Sequence, residues 1–242
     1  MPRFYCDLPL TVGRLIELPA DTARHAIGAL RLRSGDSVTL FNGDGAEYAG
    51  TLELLGKGAA VRLTERSDPE RESNLQITLV QGISSGERMD RSLPNSVDLG
   101  VAALQPRLMR RCVVRLSGDK AEKRLRHWRG IVVSACEQCG RNRLPPVAEI
   151  EDFSVWLRQA QQPGLQRYLL DPEAPASLRD VSAPTGPIQL LAGPEGGFDP
   201  VERKAALASG CIPLRLGPRI LRTETAALAA LAAMQAIWGD FK

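Results

Sequence analysis

Two short stretches near the C-terminal end hold the residues best suited to chemistry. Leu190-Leu-Ala-Gly-Pro-Glu-Gly-Gly-Phe-Asp199 and Leu216-Gly-Pro-Arg-Ile-Leu-Arg-Thr-Glu-Thr225 each run from an apolar strand into a Gly/Pro turn that carries charge. Glycine where a strand meets a helix lets backbone N–H and C=O groups approach a ligand, because no Cβ stands in the way. Two such turns close in sequence predict one composite ligand site built mostly from backbone. Within them, Glu195 and Glu224 are candidates to orient a substrate or take a proton, and Arg219 and Arg222 to stabilise a developing anion. Ordinary structure explains the same residues too: Glu224 falls in a first helical turn, where the helix dipole favours a carboxylate, and Arg222 is a plausible ion-pair partner for it. Neither turn is a P-loop, since no Gly-Lys-Ser/Thr is present, and the spacing of Gly193, Gly196 and Gly197 is not a dinucleotide fingerprint.

The elements around these turns follow from patterning. Ser37–Asn42 and Glu47–Leu55 alternate like strands about a Gly43-Asp-Gly45 turn, and Ala59–Arg66 continues as a third strand. Asp21 is expected to cap a short helix through Leu30. The polar run Ser67–Asn74 reads as an interdomain linker, which sets a first domain over 1–70 and a second over 75–242. Strands are then expected at Leu75–Ile83, Val101–Leu108, Arg167–Leu170, Ile188–Ala192 and Ile212–Leu216. Helices are expected at Asp90–Leu99, Lys120–Cys139, Asp152–Gln162, Pro200–Ser209 and Glu224–Trp238. Asp199-Pro-Val-Glu202 is a well-formed helix start, with Asp as cap and Pro in the first helical position. Strands alternating with helices imply a mainly parallel sheet, with ligands beyond the carboxyl ends of its strands.

A chain of 242 residues, 43% hydrophobic and 24% charged, is sized and composed as a globular protein of one large or two ordinary domains. No apolar run reaches membrane-spanning length, and the N-terminus lacks a basic region followed by an apolar core, so a cytoplasmic protein without membrane attachment is expected. Five cysteines at irregular spacing are not a disulfide framework. Cys136-Glu-Gln-Cys139 has the spacing of a metal pair, but no second pair completes four ligands, so no metal is expected. The net charge of +3 is unevenly spread: residues 1–70 hold eight Lys/Arg against ten Asp/Glu, whereas residues 107–143 hold eleven against three. That Arg-dominated excess suits bidentate phosphate contact and points to a polyanion, most simply RNA.

Gly193-Pro-Glu-Gly-Gly197 and Leu216–Thr225 resemble the last two motifs of the SPOUT RNA methyltransferases. Together with Arg3-Phe-Tyr5, Gly86-Glu-Arg-Met-Asp90 and Ala135-Cys-Glu-Gln-Cys-Gly-Arg-Asn-Arg143, in that order, they make the chain similar to the bacterial 16S rRNA uridine-N3 methyltransferase family. The resemblance covers the whole chain. It implies an α/β fold: an N-terminal PUA-like β-barrel that binds RNA, then a SPOUT-type domain whose C-terminal trefoil knot forms an S-adenosylmethionine pocket. It further implies a homodimer acting on uracil 1498 of 16S rRNA in the 30S ribosomal subunit, with each active site drawing on both subunits. The cofactor would lie on Leu191, Gly193, Pro194, Glu195, Gly196, Gly197, Leu216, Gly217, Pro218, Ile220, Leu221, Thr223 and Thr225, and catalysis would rest on Arg222, Glu224, Glu195 and Arg219. Arg3, His25, Arg31, Arg110, Arg111, Gln138, Arg141 and Arg143 are the expected RNA contacts.

The chain departs from the family pattern in two places. Pro94-Asn95 stands where Gln-Lys is usual, and Arg110-Arg111 where Glu-Arg is usual. If the usual lysine and glutamate pair, the two changes compensate by avoiding an unpaired carboxylate. Pro94 is also expected to shorten its helix at the start. A ribose 2′-O-methyltransferase, or an RNA-binding or ribosome-assembly protein with impaired catalysis, are the alternative functions.

Overall fold

The computed structural model describes residues 1–159 and 162–241, which form two compact units. The first comprises Met1–Glu72 together with Cys136–Leu144, and the second Ser73–Ala135 together with Pro145 onward. A linear reading of the sequence assigns all of 75–242 to one domain; the short segment 136–144 instead packs with the N-terminal strands.

In the first unit, β1 (Arg3–Tyr5), β2 (Leu15–Glu17), β3 (Ser37–Phe41), β4 (Glu47–Leu55) and β5 (Gly58–Ser67) form a sheet in the order β1-β3-β4-β5-β2. The β3–β4 and β4–β5 pairings are the expected antiparallel hairpins, while β1 runs parallel to β3. Burial alternates strictly along the first part of β4, as one buried face requires. Phe4, Val38, Leu40, Leu52, Val61 and Leu63 are the centre of the core. The expected helix after Asp21 divides into α1 (Ala20–Arg24) and a π-helical turn, His25–Ala29, with Pro19 rather than Asp21 at the N-cap position.

Ion pairs tie segment 136–144 to this unit. Glu47 accepts from Arg3 and from Arg71 Nη1 at 2.7 Å, while Arg3 also donates to Asn142 Oδ1 and, at 3.1 Å, to the Gly140 carbonyl. Glu137 accepts the Tyr5 N–H at 2.9 Å, and the buried Arg141 guanidinium pairs with Glu72. Hydrogen bonding to Arg71, reinforced by Arg3 against the opposing effect of burial, holds the Glu47 carboxyl down at about 2. The folded value lies below the unfolded one. The resulting stability is therefore fully present above pH 4.5 and lost as pH falls toward 2, amounting to roughly 2–3 kcal/mol. Glu47→Gln is expected to lower the urea midpoint at pH 7 and to flatten the loss of stability between pH 5 and 2. Parallel acid profiles for variant and wild type would show that the pair contributes nothing.

The second unit is built on β6 (Ile77–Gly82), α2 (Gly86–Asp98), β7 (Ala103–Leu108), α3 (Gly118–Cys139), β8 (Glu151–Asp152), α4 (Phe153–Leu157), β9 (Gln166–Leu170), β10 (Ile188–Ala192), α5 (Pro200–Ala208), β11 (Ile212–Leu214) and α6 (Thr223–Trp238). Its six strands are all parallel, in the order β11-β9-β10-β6-β7-β8. The chain winds outward from β6 in one direction and later returns to place β10 against the other side of β6. The ends of β6 and β10 thus flank the switch point of the sheet, where crevices open in folds of this class.

Three expectations about helices are corrected. α2 begins at Gly86, not Asp90, and Pro94 lies in its interior rather than shortening its start. The missing N–H costs one hydrogen bond, but burial of Met89, Leu93 and Val97 on one face holds the helix through it. After Asp152 caps α4 by accepting from Ser154 N–H at 2.8 Å, the helix ends at Leu157 rather than Gln162; Ala160 and Gln161 of that expected helix lie outside the described residues. The start of α5 is as read: Asp199 Oδ1 accepts the Val201 N–H at 2.9 Å, with Pro200 in the first turn. The C-terminal part of α6 is fixed by fully buried Gln235, which accepts from Ser73 Oγ at 2.8 Å and donates to the Leu99 carbonyl at 3.0 Å.

Candidate functional site

β10 delivers Gly193 to the switch point, beside Gly82 at the end of β6. A Cβ on Gly82 would lie 2.5 Å from Pro194 N and 2.9 Å from Gly193 C, so two backbones meet there without room for any side chain. The turn then reverses through Gly197, whose φ of +69° is in the left-handed region, before Asp199 starts α5. After β11 the chain passes Gly217, at φ +81°, and comes back to the same place. Thr223 Oγ1 donates to the Gly193 carbonyl and accepts from Gln81 Nε2 at 3.1 Å. Three separate segments are thereby pinned at one point.

Both turns face one cavity of about 830 Å³. Of the expected cofactor residues, Gly193, Pro194, Glu195, Gly196, Gly197, Leu216, Gly217, Ile220, Leu221 and Thr223 line it. Leu191, Pro218 and Thr225 are not among its lining residues; Leu191 is buried within β10. All four expected catalytic residues, Glu195, Arg219, Arg222 and Glu224, do line it. Sequence reasoning missed another part of its lining. Leu170, Asp171, Pro172 and Glu173 follow β9, and Arg203 of α5 donates to Asp171 at 2.7 Å. Position at the carboxyl end of a parallel strand was the available signal for Asp171.

The charges are organised by Arg88, within Gly86-Glu-Arg-Met-Asp90. Arg88, in the first turn of α2, lies with Nη1 3.2 Å from Glu195 Oε1 and Nε 3.8 Å from Glu224 Oε2. Glu195 also accepts the Ser85 N–H at 3.0 Å. Burial pushes its carboxyl up, but its own N–H, the Ser85 N–H, the Ser84 hydroxyl and Arg88 outweigh burial and hold it below the usual carboxylate value. Arg219 and Arg222 are exposed on the cavity wall, and the ion-pair partner of Glu224 is Arg88 rather than Arg222.

The expected RNA contacts fall into two groups. Arg3 and Arg141 turn inward, to Glu47 and Glu72, with 14% and 7% of their side chains exposed. His25, Arg31, Gln138 and Arg143 are exposed. Arg110 is exposed, its N–H bonded to Glu202 and its guanidinium 3.5 Å from Asp199, while Arg111 donates to the Gly196 carbonyl at 3.1 Å. Asn95 bonds back to the Arg91 carbonyl at 2.8 Å. Asn95 and Arg110 thus each have partners of their own. Among the described residues no group of three or more His, Cys, Asp or Glu is placed to hold a metal ion.

Arg31 has φ +55°, the sole non-glycine residue in the left-handed region among the described residues, held there by the Leu30 N–H to the His25 carbonyl and the Leu32 N–H to the Ala26 carbonyl. A long side chain kept in a strained conformation on an exposed turn is a feature of ligand-contacting positions. Arg31→Gly is expected to leave folding stability unchanged or raise it by up to about 1 kcal/mol, since Gly relieves the strain. If Arg31 is the RNA contact that the family resemblance implies, affinity for RNA should fall about fivefold or more, by loss of one phosphate contact. Undiminished affinity would show that Arg31 serves only the turn.

Residues 71–235 match the model of the RNA methyltransferase domain, and residues 18–63 that of the RNA methyltransferase PUA domain. The ribosomal RNA small subunit methyltransferase E of Buchnera aphidicola from Schizaphis graminum is 32% identical over 99% of this chain and 98% of its own length. That of Mycobacterium bovis is 31% identical over 96% and 90%. Among solved structures, the same enzyme from Neisseria gonorrhoeae, bound to S-adenosylmethionine, superposes with a TM-score of 0.93 at 43% identity over the full length of both chains. A putative methyltransferase of Legionella pneumophila in complex with the same cofactor gives 0.94 at 38% identity over 99% and 98%. With a PUA domain ahead of a parallel-sheet methyltransferase domain and a cavity walled by two glycine turns, this chain belongs to the ribosomal RNA small subunit methyltransferase E family.

Proposed function

We propose that the protein methylates N3 of a single uridine in 16S rRNA, uracil 1498 in the conventional numbering, using S-adenosylmethionine. The observation that carries this reading is the joining of two glycine turns into one cavity that also gathers Glu195, Glu224, Arg88, Arg219 and Arg222. The cavity suits the cofactor. Its volume is that of a small-molecule site, and Gly193, Gly196, Gly197 and Gly217 leave backbone accessible for the adenine and amino-acid parts.

Bound S-adenosylmethionine supplies an electrophilic methyl group. What the protein must add is set by the uracil: N3 is a poor nucleophile until its imide proton leaves, and negative charge then spreads over the flanking carbonyl oxygens. The exposed guanidiniums of Arg219 and Arg222 meet that charge, and the carboxylates orient the base and accept the proton. Recognition of the RNA rests on the exposed His25, Arg31, Gln138 and Arg143 of the first unit and on Arg110 and Arg111 beside the cavity. Arg3 and Arg141 contribute by holding segment 136–144.

The same reading includes a C-terminal trefoil knot, a homodimer and action in the cytoplasm. Return of Thr223 to the ends of β6 and β10 supports a threaded chain. Ile220, 84% exposed on the cavity wall, supports cover by a second subunit. No helix among the described residues is long and apolar enough to cross a membrane. The test is transfer from labelled S-adenosylmethionine to 30S particles lacking the modification, followed by mass spectrometry of the nucleosides. 3-Methyluridine is the expected product; a 2′-O-methylated nucleoside would overturn the specificity, and no transfer despite cofactor binding would favour an RNA-binding role.

A further inference from the structure

We propose that the two carboxylates of the cavity divide their roles through Arg88: Glu224 is the proton acceptor for uracil N3, Glu195 is a fixed counter-ion, and Arg88 is the positioning residue that separates them. The inference rests on the uridine-N3 reading above and names the base that it requires.

The argument starts from hydrogen-bond supply. Glu195 Oε1 is committed twice, to the Ser85 N–H at 3.0 Å and to Arg88 Nη1 at 3.2 Å. An anion so furnished is stabilised in its charged form and makes a weak base. Oε2 of each carboxylate is buried without a donor among the described residues. What sets Glu224 apart is that it has no counterpart to the doubly held Oε1 of Glu195, the cation in ion-pair range being Arg88 Nε at 3.8 Å, too long for a hydrogen bond. A buried carboxylate oxygen without a donor is costly unless something supplies one. An imide N–H entering the cavity is such a donor.

Arg88 reaches both acids from one place because of where α2 starts. Ser85, Arg88 and Glu195 form one small knot of contacts at the first turn of α2, and α6 presents Glu224 from its own first turn. One guanidinium between two carboxylates leaves the trio with a net single negative charge. The other cations on the cavity wall are Arg111, Arg203, Arg219 and Arg222; Arg111 is bonded to the Gly196 carbonyl and Arg203 to Asp171, and the remaining acids there are Asp171 and Glu173. In the step, the N3–H bond breaks to Glu224 Oε2. The pair left on N3 forms the bond to the methyl group, and sulfur keeps the pair of the bond it loses. Glu224 then returns its proton to solvent.

The test compares Glu224→Gln, Glu195→Gln, Arg88→Gln and Arg88→Lys with wild type by single-turnover transfer to unmodified 30S particles, with cofactor affinity measured alongside by calorimetry. For Glu224→Gln we expect a loss of about 1,000-fold or more in rate and a cofactor Kd within about threefold of wild type. Glu195→Gln should retain at least about tenfold more activity than Glu224→Gln. Arg88→Gln should slow transfer with the cofactor Kd unchanged, and Arg88→Lys should recover part of the rate, since a cation between the carboxylates is what this position supplies. A Glu224→Gln rate within about tenfold of wild type, or a larger loss in Glu195→Gln, overturns the assignment. An Arg88→Gln rate equal to wild type, or no recovery in Arg88→Lys, overturns its positioning role. Failure of the underlying reading looks different: the wild type itself would then make no 3-methyluridine.

Discussion

Gly82→Ala is expected to abolish cofactor binding in a protein whose first unit stays folded. The Cβ added there would stand 2.5 Å from Pro194 N, 2.6 Å from Pro194 Cδ and 2.9 Å from Gly193 C. None of these is the movable end of a long side chain. β6 and β10 are locked in register from Ile77↔Ile188 to Gln81↔Ala192, so the strands cannot separate at one end without loss of their ladder. The Gly193-Pro-Glu-Gly-Gly197 turn must therefore move instead, and with it the Gly193 carbonyl that accepts from Thr223 and Gln81. Overpacking of this kind costs about 1–3 kcal/mol in stability. The larger effect is on the cavity, where displacement of the turn should weaken S-adenosylmethionine about 100-fold, the equivalent of two or three misaligned backbone hydrogen bonds. Calorimetric titration with S-adenosylmethionine, beside a urea melt, separates the two effects. A Kd within about threefold of wild type would mean that the two strand ends can absorb a methyl group without moving the turn.

That close approach shows what was legible in the sequence. Gly193, Gly196, Gly197 and Gly217 were readable because a glycine between an apolar strand and a helix start has a local reason to be there. The strands of the second unit and the cap at Asp199 were readable for similar reasons: their patterns are completed within about ten residues. Gly82 and Gln81 carry no such local mark, because what they touch is Pro194 and Thr223, more than a hundred residues on. Arg88 illustrates the same limit from another side. Nothing in Gly86-Glu-Arg-Met-Asp90 shows that one guanidinium faces Glu195 and Glu224 at once. α2 itself was read four residues short because Pro94 and the polar Gly86-Glu-Arg start weaken the helical pattern. Tertiary burial of Met89, Leu93 and Val97 decides the matter. The sequence also ranks Arg3, Arg141 and Arg143 alike as basic residues in family motifs, whereas burial divides them.

The division among those arginines yields the second large effect. Arg141 is 5% exposed and its guanidinium is paired with Glu72, while Arg143, two residues on, is exposed. Removing Arg141 strands the Glu72 carboxylate, which keeps 23% of its side chain exposed, and leaving such a part-buried charge without its partner costs about 1–3 kcal/mol. Arg141→Ala should therefore lower the melting temperature sharply, and most of that loss should be absent when Glu72→Gln is combined with it, since no charge is then left unpaired. RNA affinity should fall in Arg141→Ala only in proportion to the fraction unfolded. Arg143→Ala should do the reverse, leaving the melt within about 0.5 kcal/mol of wild type, as exposed substitutions do, while weakening binding to the 30S particle. The weakening should diminish as salt is raised, because a phosphate contact contributes through released counterions. If Arg141→Ala melts like wild type and binds poorly, the buried arginine is the RNA contact after all, and Glu72 is merely where it rests without RNA.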